Sequence, residues 1–335
     1  MVNEQNTNNN PPILYIVVPC YNEEQVLPIT APIFKNKEQS LIRANLVDGK
    51  SRILFVNDGS KDHTWEILSE LCSKDPAFCA IKLSRNRGHQ NALLAGLMEA
   101  KDFADITISI DCDGQDDIDV MDEMVRQYHD GCEIVYGVRN DRTSDTFFKR
   151  TTAQGYYKIL NVLGGEVVYN HADYRLVSSR VLNELVKYKE VNLFLRGIFP
   201  MIGFKSTCVE YSRHERLSGS SKYPLRKMLT LAFDGITSFS VKPIRIITGL
   251  GAVTVLFSLI LIIYALVSWT TGQVVPGWSS SFIGTTLIGG IQLVSLGVIG
   301  EYVGKIYMET KGRPRYIVEE RTWRNTDGSE EDFKK

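Results

Sequence analysis

Ile106-Thr107-Ile108-Ser109-Ile110-Asp111-Cys112-Asp113-Gly114-Gln115 decides the fold of this chain. Ile106, Ile108 and Ile110 alternate with Thr107 and Ser109, so the first half reads as a buried strand. Two carboxylates and a carboxamide follow at the point where that strand leaves its sheet. Open α/β sheets bind ligands at the carboxyl ends of their strands. Oxygen ligands at alternate positions suit a hard divalent cation, Mg²⁺ or Mn²⁺. Such a cation calls for an anionic partner, a diphosphate being the obvious candidate. Taken alone, the same residues read as readily as an acidic turn between a strand and a helix. The neighbouring segments decide between the two.

Strand-like segments recur at Ile13–Val18, Ile53–Asn57, Cys79–Leu83 and Ile134–Val138, on either side of Ile106–Ile110. Helical patterns lie between them. In Asp62–Ser73, Trp65, Leu68, Leu71 and Cys72 share one face, and Ser60 or Asp62 is placed to cap it. Strand and helix alternating in this way predict a doubly wound, mostly parallel α/β sheet. Each early strand also ends in polar residues. Val17-Val18-Pro19-Cys20-Tyr21-Asn22-Glu23-Glu24 closes the first, and Val56-Asn57-Asp58-Gly59-Ser60 the second. Leu83-Ser84-Arg85-Asn86-Arg87-Gly88 closes the third, and the Asp111–Gln115 motif the fourth. A parallel sheet delivers all these ends to one edge, which favours a shared task over independent surface turns.

The 335 residues carry a formal net charge of −1, which implies no general affinity for nucleic acid. The charge is unevenly placed, for Ile246 to Gly300 contains no Asp, Glu, Lys, Arg or His. That tract divides into two apolar spans, about Ile246–Trp269 and about Phe282–Tyr307. Each is long enough for a hydrocarbon core that takes roughly 20 residues. Thr270–Ser281, with Gly272, Pro276 and Gly277, reads as the turn between them. Lys242 and Arg245 precede the first span; Lys305, Lys311, Arg313 and Arg315 follow the second. Positive flanks stay cytoplasmic, so the α/β domain and both termini are expected inside, in a multi-pass protein of the plasma membrane. Trp269 and Trp278 fit the outer aromatic belt. Pro224–Val241 mixes Arg226 and Lys227 with Leu225, Met228, Leu229 and Phe233; it reads almost as readily as a core-facing helix, but its place directly before a span makes amphipathic helices at headgroup level the expectation. The expected organisation is a disordered lead-in at 1–10, the α/β domain at 11–223, interfacial helices at 224–243, two spans at 244–308 and a cytosolic tail at 309–335. Cys20, Cys72, Cys79, Cys112, Cys132 and Cys208 show no CxxC spacing and are expected as reduced core residues. The tail segment Pro314–Glu319 could add a strand within the chain or between protomers of a homo-oligomer.

Together the motifs resemble the family 2 glycosyltransferases of the GT-A fold. More narrowly, they resemble the polyprenyl-phosphate glycosyltransferases, which include bacterial bactoprenol glucosyltransferases and dolichol-phosphate mannose synthases. P-x-Y-N-E, V-N-D-G-S, N-x-G and D-x-D-x-Q carry the resemblance through the first domain. The spans ending Gly300-Glu301-Tyr302-Val303-Gly304-Lys305-Ile306-Tyr307 extend it to the bacterial two-span subgroup. The resemblance implies that Pro19, Tyr21, Glu23 and Asp58 hold the nucleotide, Asp58 accepting from the base edge. Asn86 and Gly88 would line the same pocket, Gly88 by allowing close backbone approach. It implies further that Asp111, Asp113 and Gln115 cradle a Mg²⁺ or Mn²⁺ on the donor diphosphate, with Asp111 also on the nucleotide side. Gly114 stands where the family often has a bulky residue, a departure that loosens the loop without removing a ligand.

Basic residues follow the fifth strand and recur later, in Tyr136–Arg142, Phe147–Arg150 and Arg213–Tyr223. Arginine forks suit phosphate oxygens. A generic basic belt attracted to acidic lipids is the plainer reading, and both can hold. Arg139, Arg142, Arg150 and Lys222 are the expected phosphate contacts, with Arg213 beside them. Asp173 and Arg175 of Ala172-Asp173-Tyr174-Arg175 are assigned to the acceptor side. Asp113, Arg139 and Arg142 are expected to carry the catalytic step. The implied reaction moves a sugar from a nucleotide diphosphate sugar, UDP-glucose by default, to a polyprenyl phosphate at the bilayer surface, with inversion. UDP-N-acetylglucosamine and GDP-mannose stand as alternative donors. A processive polysaccharide synthase should show Q-x-x-R-W and more spans. A dinucleotide oxidoreductase needs G-x-G-x-x-G after the first strand, where this chain has Pro19-Cys20-Tyr21-Asn22-Glu23. An inactive membrane scaffold on the same fold has no need of an intact metal motif.

Overall fold

The computed structural model describes residues 10–139, 171–190, 193–212, 242–271 and 277–323. They fall into two units, a sheet with its helices and a pair of long apolar helices. In the first unit β1 (Leu14–Cys20), β2 (Arg52–Asn57), β3 (Phe78–Leu83) and β4 (Ile106–Ser109) are parallel, in the spatial order β4-β1-β2-β3. Helices α1 (Leu27–Arg43), α2 (Thr64–Lys74) and α3 (His89–Ala100) are the crossovers. A 3₁₀ turn (Ile118–Val120) and α4 (Met121–His129) lead to β5 (Ile134–Arg139). Then come β6 (His171–Ser178), α5 (Ser179–Leu185), α6 (Leu195–Ile202) and β7 (Ser206–Tyr211), with β8 (Val318–Arg321) near the end of the chain. The sheet order is β7-β5-β6-β4-β1-β2-β3-β8. β6 is antiparallel to both β4 and β5, and β7 is parallel to β5. β5 and β7 therefore point the same way as β1 to β4, and the expected doubly wound, mostly parallel sheet is the one observed.

Strand alternation sets the layers. Leu14, Ile16 and Val18 of β1, Ile53 and Phe55 of β2, and Ile106 and Ile108 of β4 share a core with Leu27, Phe34, Leu41, Leu68 and Met124. Helix α3 packs on β1, β2 and β4. Val17, Val56, Ile81 and Leu83, outside that core, are also buried, as two-faced burial of parallel strands requires. On α2, Leu68 is fully buried and Trp65, Leu71 and Cys72 pack around it, the face expected from the periodicity. Asp62 Oδ1 accepts the Thr64 N–H at 3.1 Å and satisfies an orphan donor at the start of α2. Ser60 Oγ is occupied instead by the Asn22 N–H, at 2.9 Å.

β1 runs past Val18 to Cys20, so Pro19 sits inside a central strand. Its missing N–H costs nothing there. Val17 O accepts from Ile110 on the β4 side, and Cys20 O accepts from Asp58 on the β2 side. By that alternation Pro19 faces β4, which has already ended at Ser109.

The tail strand forms within the chain. β8 pairs antiparallel with β3, Ser84 N–H donates to Ile317 O at 3.0 Å, and Ala80 N–H donates to Thr322 Oγ1 at 3.0 Å. Arg321 Nε reaches Glu99 Oε2 at 2.8 Å, and Lys82 Nζ reaches Glu320 Oε1 at 2.6 Å. The β3 edge, which would otherwise present unpaired backbone, is thereby covered. All six cysteines are free; Cys20, Cys79, Cys112 and Cys132 are buried as expected, whereas Cys208 is exposed. The reason is its strand, since β7 lies at the sheet edge.

The second unit holds α7 (Lys242–Thr270) and α8 (Trp278–Thr310). Leu287–Thr310 of α8 is long and apolar enough to cross a membrane, whereas the described apolar stretch of α7, Ile244–Thr254, is shorter. Large apolar side chains are exposed along both, for example Leu250, Ile260, Leu293 and Val294. Of the expected interfacial helices, residues 224–241 lie outside the described residues, as do residues 1–9 of the lead-in.

Candidate active site

The first two loops at the shared edge are laced together by short polar side chains. Asn22 N–H donates to Ser60 Oγ, Lys61 N–H to Asn22 Oδ1 and Glu23 N–H to Thr64 Oγ1, each at 2.9 Å. The buried Asn57 Oδ1 accepts the Ser60 N–H at 3.1 Å. Pro19 is buried in β1, while Tyr21 stands exposed at the rim just beyond it.

Asp58 ties the second loop to the third. Its Oδ1 accepts the Arg87 N–H at 2.7 Å and its Oδ2 the Gly88 N–H at 2.9 Å. Burial raises its pKa, and those two backbone donors pull the other way. Each carboxylate oxygen keeps a second lone-pair direction for a ligand donor. Asn86 Oδ1 also accepts the Gly88 N–H, at 3.2 Å, and both residues are exposed.

The loop after β4 concentrates acid. Asp113 Oδ1 accepts the Gln115 N–H at 3.1 Å across Gly114, which has φ +68°, and Gln115 is buried. Burial raises the pKa of Asp111; His89 opposes the rise, and the carboxylates of Asp116, Asp173 and Asp113 add to it. Crowded hard-oxygen donors of one sign are the environment a divalent cation relieves. Asp111, Asp113 and Gln115 are the residues that could hold such an ion. Among the described residues no group of three His, Cys, Asp or Glu side chains forms a ready-made metal cluster. An ion held by one or two carboxylates plus substrate phosphates needs none. Below the loop, the buried Lys37 of α1 anchors the 3₁₀ turn and α4, reaching Asp119 Oδ1 at 2.8 Å and Asp122 Oδ2 at 3.1 Å.

Asp173, on β6, is surrounded by protein donors. Arg175 Nη2 donates to it at 2.5 Å, Arg196 Nη2 at 2.9 Å, and Gln90 Nε2 at 3.2 Å. His89 Nε2 lies 3.4 Å from Asp173 Oδ2 and 3.5 Å from Asp111 Oδ1, so one imidazole bridges the expected donor and acceptor sides. Burial disfavours the Asp173 charge, but Arg196, His89 and Arg175 outweigh it and hold the pKa well below the usual carboxylate range. The same two carboxylates raise the His89 pKa against the opposing effect of burial. Arg175 has no exposed surface and lies over the Phe199 ring at 4.7 Å. In this position it braces Asp173 from behind, so the expected direct contact with an acceptor phosphate gives way to a supporting role.

Arg139 ends β5. Its Nε donates to Tyr211 Oη at 3.1 Å and its Nη2 lies 3.5 Å from Asp116 Oδ1, which also accepts the Tyr211 hydroxyl at 2.7 Å. Arg142, Arg150, Arg213 and Lys222 lie outside the described residues. β5 and β7, which lead into the segments holding them, end at the same edge as the loop after β4.

Sequence reasoning missed His89, Gln90, Asp116, Tyr211 and Arg196. Extending the N-x-G motif by two residues captures His89 and Gln90, and extending D-x-D-x-Q by one captures Asp116. Arg196 has no local signal. It comes from α6, reaching Asp173 across 23 residues of chain.

The sequence profile of Glycosyl transferase family 2 matches residues 15–186. The chain is 51% identical to the Bacillus subtilis glycosyltransferase YkoT over 308 residues, 92% of this chain and 91% of the relative. It is 37% identical to the bactoprenol glucosyl transferase of Shigella phage SfX, over 91% of this chain and 98% of the relative. It is also 37% identical to the prophage bactoprenol glucosyl transferase homolog of Escherichia coli K12, over 90% and 97%. With polar loops gathered where four parallel strands end, and with these relatives matched along nearly their whole length, the chain belongs to glycosyl transferase family 2 and is a glycosyltransferase.

Proposed function

We propose that the chain transfers a sugar, glucose by default, from UDP-glucose to a polyprenyl phosphate such as undecaprenyl phosphate. The observation that carries this reading is the 37% identity to a bactoprenol glucosyl transferase across 311 residues. A match of that length cannot leave out both long apolar helices, so the relatedness extends beyond the sugar-nucleotide fold. The exposed apolar surfaces of α7 and α8 support seating in a bilayer, because soluble monomers rarely expose large contiguous apolar patches. Two spans at 244–308, with the α/β domain of 11–223 on the cytoplasmic side, are part of the proposal.

The chemistry follows from the residues. Asp58, by fixing the Arg85–Gly88 loop, shapes the nucleotide pocket together with Pro19, Tyr21, Glu23, Asn86 and Gly88. Asp111, Asp113 and Gln115 would hold Mg²⁺ or Mn²⁺, which when bound would supply charge to offset that building on the departing diphosphate. A phosphate monoester has a second pKa near ~6, so the acceptor is largely dianionic at neutral pH and needs positioning rather than deprotonation. Arg139, with Arg142, Arg150, Arg213 and Lys222, offsets the repulsion between two phosphate-bearing partners. Asp173, already saturated by donors, serves as a fixed negative post that orients His89 and Arg196. In-line attack on the anomeric carbon would invert its configuration.

The test is sugar transfer in purified membranes, with undecaprenyl phosphate and each of several labelled nucleotide sugars, beside an Asp113→Ala variant. Metal-dependent labelled lipid product, lost in the variant, supports the reaction and names the donor. Absence of product with UDP-glucose, UDP-N-acetylglucosamine and GDP-mannose alike would overturn it.

A further inference from the structure

We propose that Tyr211, together with Asp116, is a positioning residue that aims Arg139 at the phosphate of the acceptor. This rests on the reading of Arg139 as a phosphate-contacting group. An arginine side chain has many rotamers to lose, and a flexible one must be ordered at each binding event. Fixing the guanidinium beforehand removes that cost from binding.

The geometry provides the fixing. Arg139 and Tyr211 are cross-strand partners at the ends of β5 and β7. The Tyr211 phenol accepts from Arg139 Nε at 3.1 Å and donates to Asp116 Oδ1 at 2.7 Å. Asp116 lies 3.5 Å from Arg139 Nη2, so acid, phenol and guanidinium close a triangle. Tyr211 is only 3% exposed and the Asp116 side chain 2%, whereas the Arg139 side chain keeps 29%. Only the arginine can meet a substrate; the other two act through it.

The phenol is itself held. Tyr174 packs edge-on against Tyr211, centroids 5.3 Å apart, and its hydroxyl donates to Asp117 O at 3.1 Å. Asp116 and Asp117 directly follow the proposed metal motif. The same clamp thus sets the spacing between the carboxylates proposed for the donor diphosphate and the cation proposed for the acceptor phosphate. A hydroxyl that bridges two charged groups in this way is worth more than a neutral hydrogen bond.

The experiment is steady-state kinetics of the full chain in detergent micelles, with undecaprenyl phosphate and labelled UDP-glucose varied separately. Tyr211→Phe keeps the ring packed on Tyr174 and removes only the bridging hydroxyl. The acceptor KM should rise roughly 5- to 10-fold, while the donor KM stays within about twofold and Tm within a few degrees. In an Arg139→Ala background, Tyr211→Phe should add nothing, because the two act as one unit. Arg139→Lys is the independent arm. Lysine keeps the charge but lacks the Nε–H that Tyr211 accepts, so its acceptor KM should approach that of Arg139→Ala. Equal rises in both KM values, additive effects in the double variant, or a wild-type acceptor KM in Arg139→Lys would each overturn the aiming role. An Arg139→Ala enzyme with unchanged acceptor KM overturns it differently, by removing Arg139 from the acceptor site. A wild-type chain inactive with every donor would overturn the proposed reaction and this inference with it.

Discussion

Gly59 and Gly88 both hold positive φ, +62° and +85°, yet alanine at the two positions should have different consequences. A Cβ at Gly59 would lie 2.5 Å from the Arg85 carbonyl carbon and 2.6 Å from the Asn86 nitrogen; at Gly88 nothing lies within 4 Å. Left-handed backbone costs an L-residue about 1–2 kcal/mol at Gly59; Gly88, with φ +85° and ψ 155°, lies in a region essentially reserved for glycine, and Gly88→Ala carries that cost alone, about 1–3 kcal/mol. Gly59→Ala adds overpacking against main-chain atoms that cannot rotate aside, roughly 1–3 kcal/mol more. At about 2–4 °C of Tm per kcal/mol for a unit of this size, Gly59→Ala should lose about 10 °C and Gly88→Ala about 6 °C. The functional contrast is sharper. Gly59→Ala pries the second loop from the third, both proposed to hold the nucleotide, so donor KM should rise at least about tenfold together with the stability loss. Gly88→Ala instead projects a methyl into open space before α3. If the nucleotide approaches the backbone there, donor KM rises out of proportion to the small fall in Tm. Thermal unfolding in detergent, paired with donor KM for each variant, separates the cases. Wild-type Tm and donor KM in Gly59→Ala would refute the close-approach reasoning, and an unchanged donor KM in Gly88→Ala would remove Gly88 from the pocket.

Other outcomes follow from the charges. Asp173→Asn breaks a buried ion-paired centre and leaves Arg175 uncompensated, so it should cost about 3–5 kcal/mol and most of the transfer activity. Because the native Asp173 pKa is depressed, its stabilisation is complete above the unfolded carboxylate range and is lost as pH falls through the lower native value. The Tm gap between wild type and Asp173→Asn should therefore shrink below about pH 4, and should also narrow as pH climbs through the raised His89 pKa, because Asp173 stabilises the protonated imidazole. Glu38 behaves in the opposite sense, since burial lifts its pKa from 4.5 to about 7. The native state binds the extra proton within that window, so wild-type stability declines as pH climbs through it. Glu38→Gln should match wild type near about pH 4 and be more stable by up to about 3 kcal/mol at about pH 8, a difference readable as Tm against pH. Chelation with EDTA should abolish sugar transfer without lowering Tm, and either Mg²⁺ or Mn²⁺ should restore it. Full activity after exhaustive chelation would contradict the metal role of Asp111 and Asp113.

Much of the fold was legible because its signals are local. The alternation in Ile106–Ile110 marks β4, and the one-sided apolar face of Thr64–Lys74 marks α2. Four polar strand ends predict a common edge once the strands are parallel, and parallel pairing is what the register shows. Strand ends were less legible. The first strand is expected to end at Val18, and the early end of β4 explains why β1 can continue through Pro19. The tail left two strand partners open, and the exposed β3 edge of the same chain takes it.

The site itself divides along a physical line. Residues proposed to meet a ligand at a strand end sit in recognisable dipeptides and tripeptides, so Asp58, Asp111, Asp113 and Arg139 could be singled out by position. The residues that hold those groups in place obey no such spacing, because any element that packs nearby can supply them. Asp173 draws donors from the β6 strand itself, from the start of α3 and from α6, and Arg139 is held from β7 and from the loop after β4. Arg175 illustrates the risk of reading charge from sequence alone. An arginine beside an acid in a polar motif suggests an exposed phosphate ligand, yet Arg175 shares a strand face with Ser109 and Tyr136, its partners in register, and is wholly buried. Period-two alternation decides that outcome, since Asp173 and Arg175 must point to the same side of β6. The two side chains meet at 2.5 Å, so the acid faces the site and the base stands behind it. A buried pair of this kind adds little net stability but is costly to break on one side, and the same carboxylate also lies 3.4 Å from His89 Nε2 and 2.9 Å from Arg196 Nη2.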